Sequence, residues 1–330
     1  TKSVFTLCDY RNGDKCPPWE LAASEMRHDN KKKTIYYDNA IIKIYNIPVL
    51  YIPKLQHPDP TVKRRSGFLV PSFADSKNLG ANIDVPYFWA INKDRDLTIN
   101  NRLFATEHPL FLGEYRQAFK NSNLVADFGY TEGYKSKSKK NINSGDRSHL
   151  FARLKSKFKT NSSNENNYEI NLQHVSDKKY LKLYKIDSNL VDHETSTLEN
   201  TFNFNHFNEE DNFSVNLQSG IFRTLADTYN DKYEYIIPDL NFNKFFLSEN
   251  LGYGNLKSNL KVHNYDTNKF EKFFINDFEW SYDKSLLSNF YDGKIITKIK
   301  NLNYETKNVS KYKEKTTSEF YGALGYLASV

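Results

Sequence analysis

The sequence predicts an all-β chain, part of an antiparallel transmembrane β-barrel, from three observations: its composition, a period of two, and the alternation of its connections. The 330 residues are polar on average, with 38% hydrophobic residues and a mean hydropathy of −0.72, yet 24 Phe, 23 Tyr and 3 Trp make 15% of them aromatic. A disordered chain has few aromatic residues, and a soluble enzyme of this length needs more apolar residues for its core. A membrane barrel reconciles the two values, because lumen-facing polar positions alternate with lipid-facing ones and aromatic girdles mark both interfaces. A coding bias toward Phe, Tyr, Asn, Lys and Ile also raises the ring count. No run approaches the roughly 18 to 20 apolar residues of a transmembrane helix, so any crossing is made by strands.

The elements follow in chain order. Thr1 to Leu7 has no charged segment followed by an apolar stretch, so no signal peptide is expected there, and with the end at Val330 the sequence reads as a piece of a longer protein. Residues 19–56 hold the stretches WELAASEM, TIYYDNAIIKIYNI and VLYIPKL, separated by HDNKKK and broken by Pro48 and Pro53. β-Branched and aromatic residues dominate them, so they read as strands. The segment KRRSGFLVPSF, from Lys63, marks a boundary between residues 1–62 and 63–330. Beyond it, about twelve or thirteen strand-like runs of about ten residues are expected. In HLFARLKSKFKT, Leu150, Ala152, Leu154 and Phe158 fall on one face and Arg153, Lys155, Lys157 and Lys159 on the other. In FSVNLQSGIF, Phe213, Val215 and Leu217 oppose Ser214, Asn216 and Gln218. That period places successive side chains in oil and in water. Candidate turns are short at 92–96, 120–123 and 208–211 and long at 132–147 and 177–195, as for periplasmic turns and extracellular loops. No helix longer than a turn or two is expected.

Charge and chemistry exclude several classes. With 46 basic and 40 acidic residues, the net charge of +6 is too modest to imply nucleic acid. Cys8 and Cys16 flank a polar turn with Asn12 and Gly13, and no Cys or His pair with zinc spacing follows, so a disulfide role is expected and no metal site. The eight His residues are scattered, His57 and Asp59 sit in a proline-fixed turn, and Glu209 and Glu210 sit in another. No enzyme activity and no cofactor are expected. The run KSKSKK (135–140) reads as a solvated loop, or else as a basic contact for phosphorylated headgroups.

Five ordered blocks then stand out: CPPWELAASEM with a following HD, IPVLYIPKLQHPDP, KRRSGFLVPSF, VPYFWAINKDRDLTINNRLF and GEYRQAF. From Cys8 to about Tyr130 the chain resembles the LptD (OstA) family. The resemblance implies an outer-membrane translocon that receives lipopolysaccharide from a periplasmic LptA-like bridge and places it in the outer leaflet. It also implies a β-jellyroll, of which residues 1–62 would be the last strands, and a barrel begun by residues 63–330 and plugged by an LptE-like lipoprotein.

The same resemblance assigns roles to residues. Pro71 and Pro86 lack the N–H of a ladder bond and would belong to a lateral gate; by themselves they also fit strand ends. Lys63, Arg64 and Arg65 would mark the junction, anchored by snorkelling to headgroups or guiding lipid A phosphates. Tyr87, Phe88 and Trp89 suit an interfacial girdle or core packing. The family cysteine at Cys8 pairs with the far end of the barrel, while Cys16 departs from the pattern and makes a Cys8 to Cys16 bridge a rival. A general porin or receptor barrel shares the alternation but gives no reason for the HPDP and KRRSGF blocks at a junction. A secreted β-sandwich that binds glycans would be soluble without detergent.

Overall fold

The computed structural model describes residues 3–5, 19–44, 47–62, 64–135, 145–227, 230–285 and 292–329. The strands lie in two antiparallel sheets. The first holds β1 (Ser3–Phe5), β2 (Trp19–Ala23), β3 (Glu25–Asp29), β4 (Thr34–Ile44) and β5 (Ile47–Pro58). β2 and β3 lie one after the other along β4, facing Ala22–Trp19 to Ile41–Ile44 and Glu25–Asp29 to Asp38–Thr34, and β5 also pairs with β4. The stretch WELAASEM therefore divides at Ser24, whose N–H and hydroxyl both donate to the Asp38 carbonyl at 3.0 and 2.9 Å.

Contrary to the expectation from the sequence, Pro48 and Pro53 do not break this segment, for β5 runs through both. It pairs only with β4 among the described residues, and an edge tolerates missing donors. The register shifts at Ile42/Lys43 beside Pro48, and Pro53 falls opposite Asn39, which adopts φ 52° and drops out of the pairing. Alternation buries Leu21, Ala23, Tyr37 and Ala40, with Ile35, Ile42, Ile52 and Leu55 packed against them. Burial pushes the Tyr37 hydroxyl up to about 12, and it meets His57 Nε2 at 2.6 Å.

The second sheet has 15 strands: β6 (Gly67–Phe68), β7 (Ser72–Ser76), β8 (Gly80–Asn92), β9 (Arg95–Phe104), β10 (Leu110–Ala118), β11 (Ser122–Thr131), β12 (Arg147–Phe158), β13 (Asn164–Val175), β14 (Thr197–Asn208), β15 (Phe213–Thr224), β16 (Tyr233–Ser248), β17 (Gly252–Tyr265), β18 (Phe270–Ser285), β19 (Asp292–Lys307) and β20 (Thr317–Ser329). From β8 onward each strand lies beside the next in sequence, the up-and-down order of a barrel wall. β6 and β7 are two pieces of one strand along β8, so the count slightly exceeds the expectation. The short turns fall at 93–94, 119–121 and 209–212 and the long connections at 132–146 and 176–196, where the sequence places them. The expected class, all-β with a partial antiparallel barrel preceded by the last strands of a jellyroll, is met by an almost entirely antiparallel β chain whose 15-stranded sheet is consistent with a partial barrel. By contacts the chain groups into Thr1–Leu69 with Tyr87–Ile91, and Val70–Pro86 with Asn92–Val330.

Candidate functional site

The first strand of the wall is interrupted at the position of both singled-out prolines. Gly67 and Phe68 pair with Phe88 and Tyr87, and pairing resumes only at Ser72 with Asp84. Leu69, Val70 and Pro71 therefore face Val85 and Pro86 with no ladder between them, three residues against two. Each proline removes one donor, and the extra residue displaces the register as a bulge does. The apolar side chains of this stretch are open: Val70 is 85% and Phe73 76% exposed.

Arg65 turns back to the first sheet, where Nη1 donates to the Lys32 carbonyl at 3.4 Å and to the Thr34 hydroxyl. Arg64 is exposed and Lys63 lies outside the described residues, as do Cys8, Cys16 and most of KSKSKK. In β8, Tyr87 and Trp89 share one face and Phe88 takes the other, since side chains alternate along a strand. The Phe68 ring meets Tyr87 edge-on at 5.1 Å, and Trp89 is 48% exposed.

A second cluster has almost no signal in the sequence. The 176–196 connection contains α1 (Tyr180–Tyr184), whose Tyr180, Leu181 and Tyr184 are buried with Leu110, Phe151, Val175, Val191 and Leu198. The faces of β9 to β12 that carry alternating polar residues hold this connection by charge. Arg102 grips both Asp84 oxygens at 2.8 and 3.1 Å and donates a third bond to the Tyr184 carbonyl at 2.6 Å. His149, fully buried by its side chain, lies between Asp127 Oδ1 at 2.6 Å and the Tyr180 hydroxyl at 3.1 Å. An ionised carboxylate only accepts, so Nε2 carries the proton toward Asp127. Asn189 donates to Glu114 Oε2 at 2.7 Å. Burial pushes the Tyr180 and Tyr184 hydroxyls up and Tyr134, in the neighbouring connection, to about 12.

The tip of the connection is held by Asp187 and His193. The hydrogen bond to Asp187 raises the His193 imidazole above its ordinary value; burial works to raise the Asp187 carboxyl, but the His193 N–H groups outweigh it and hold it low. Chemically this arrangement is a clamp: it fixes a loop to one sheet face. The one sequence signal for it is the apolar Phe151 on the charged side of β12, with His149 two residues before it.

A family model described as LptD protein matches residues 35–237, more than half of the 330. Curated relatives called LPS-assembly protein LptD are similar to it. The relative from Nitrosococcus oceani is 36% identical over 114 residues, 34% of this chain and 15% of the relative. That from Shewanella frigidimarina is 42% identical over 98 residues, 30% and 12% respectively. That from Shewanella denitrificans is 27% identical over 248 residues, 72% of this chain and 30% of the relative. The matches thus span less than a third of each of these relatives' length. An up-and-down antiparallel wall after a smaller sheet is in keeping with a family match that runs from β4 into β16 over more than half of the residues: the chain belongs to the LptD protein family.

Proposed function

We propose that this chain is the end of a periplasmic jellyroll, residues 1–62, and the first part of the barrel, residues 63–330, of an outer-membrane protein that moves lipopolysaccharide into the outer leaflet. The observation that carries the reading is the break between β6 and β7 opposite Pro86. A ladder bond contributes roughly 0.5–1.5 kcal/mol net, so a strand missing several of them opens more readily than its neighbours. In this reading Pro71 and Pro86 weaken a lateral gate through which the lipid leaves the wall. Ile47, Val49 and Leu50, exposed at the start of β5, would meet its acyl chains before that step. The partners are lipopolysaccharide, an LptE-like lipoprotein plug and an LptA-like periplasmic bridge that meets the jellyroll. No residue is assigned a catalytic role, so the energy of transport comes from elsewhere in such a system.

Photo-cross-linking probes at Ile47 and at Pro71, in the protein carried by cells that make lipopolysaccharide, test the proposal. Adducts with lipopolysaccharide are expected at both positions. Labelling at neither would favour a general porin barrel. A chain that stays monomeric and soluble without detergent would favour the glycan-binding sandwich.

A further inference from the structure

Two basic runs, 33 residues apart in the chain, meet at one end of the first sheet. The turn between β3 and β4 carries Lys31, Lys32 and Lys33, all exposed. Its backbone is fixed: Asp29 Oδ1 accepts the N–H of Lys31 at 3.0 Å and of Lys32 at 2.9 Å, and the Asp59 N–H donates to the Lys33 carbonyl at 2.9 Å. Arg65 adds its guanidinium from the other run through the Lys32 carbonyl. Arg27 extends the positive surface from β3, its guanidinium 5.1 Å above the Tyr36 ring.

One nearby carboxylate, Asp29, held low by the Lys32 and Lys31 backbone N–H groups and by the charges of Lys32 and Arg27, offsets part of the positive charge and leaves the cluster positive on balance. Asp29 is engaged by the turn backbone, and Asp59 by Thr61 at 2.7 Å and by His28 at 2.5 Å. Among the described residues, Lys31, Lys32 and Lys33 form no ion pair. Rings follow the second basic run. Three residues after Arg65, a chain length of at most about 11 Å, comes Phe68, 75% exposed, against Tyr87 and near Trp89 in β8. Exposed Phe68 and Trp89 with half-buried Tyr87, on the strands that follow Arg65, have the composition of a membrane–water interface.

We infer that the Lys31–Lys33 turn binds the phosphate headgroups of anionic glycerophospholipids at the bilayer surface, with Arg65 as the clamp that holds the turn there. Clustered cations are drawn to an anionic leaflet, and the attraction fades within about 10 Å at 0.1 M salt. Arg65 acts as a positioning residue, because its guanidinium is directed at the turn. The inference rests on the membrane placement proposed above but not on the transported lipid, so it fails or holds apart from the cross-linking experiment.

The test titrates the full chain, in zwitterionic micelles, with dansyl-labelled phosphatidylglycerol and phosphatidylcholine, reading energy transfer from its tryptophans. The variant Lys31→Gln/Lys32→Gln/Lys33→Asn removes the charges while Asn suits the left-handed backbone at position 33, where φ is 47°. It should bind phosphatidylglycerol at least about ten-fold more weakly at low salt, against a ceiling near a hundred-fold for three lysines at an anionic surface. Replacing all three by Arg should preserve binding, and phosphatidylcholine should bind weakly to every form. Equal phosphatidylglycerol affinity in the wild type and the neutral variant would overturn the inference. So would displacement by millimolar inorganic phosphate, which would make the turn a free-anion site, or a preference for lipopolysaccharide over phosphatidylglycerol that the neutral variant abolishes.

Discussion

The decisive residue in the clamp is His149, because it satisfies two buried groups at once. Asp127 and Tyr180 come from a strand and a loop helix, and the imidazole bonds to both. His149→Ala leaves a buried carboxylate without its donor, which costs about 3 kcal/mol. The expected result is a lower urea midpoint in detergent with faster proteolysis inside 176–196; an unchanged midpoint would show that the 176–196 connection is not held this way. Phe151 was visible in the sequence only as an exception to the alternation, an apolar residue among Arg147, His149, Arg153 and Lys155. Nothing in a period of two says that such a residue has a partner. Tyr180, Leu181 and Tyr184, buried in the same cluster, arrive from a connection whose path local pattern does not encode.

At the scale of elements, the first strand is where sequence and pairing matter most to the proposed gate. Pro71→Thr together with Pro86→Val restores two donors without adding charge, and closing the break should strengthen the seam by about 1–3 kcal/mol. If the seam is the exit, lipopolysaccharide cross-linking from a probe at Val70 should fall at least several-fold. Unaltered cross-linking would leave the prolines with the role of shaping strand ends. Elsewhere the elements were legible because their causes are local. Turn residues at 93–94 and 209–212 end strands by their own chemistry, and Leu150, Ala152 and Leu154 line up because a pleat alternates. The prolines of β5 misled for the opposite reason: whether proline ends a strand depends on having a neighbour on that side, and among the described residues β5 pairs with β4 alone.

At the scale of the whole molecule, the second sheet runs from β6 and β7 to β20 and, among the described residues, β20 pairs only with β19. Its 13 residues carry Phe320, Leu324, Tyr326 and Leu327 exposed beside an unpaired backbone edge. In lipid or detergent such an edge is costly and templates further pairing. These 330 residues produced alone should therefore associate edge to edge, and single cysteines at Ala323 or Gly325 should give disulfide-linked dimers on oxidation in a background with Cys8→Ser and Cys16→Ser. A strictly monomeric product would count against the open edge. The sequence by itself determined the all-β class, the order of the strands, the sites of the turns and the family resemblance. Each of these follows from residues within about ten positions of one another or from ordered blocks of fixed residues. Only the tertiary structure decided that Pro71 and Pro86 share one break, that Arg65 closes on the Lys32 turn, and that Tyr180 seals His149 against Asp127. Those contacts join residues 15 to 33 positions apart or more, and the free energy of such a contact depends on what surrounds it in space, which no local pattern carries.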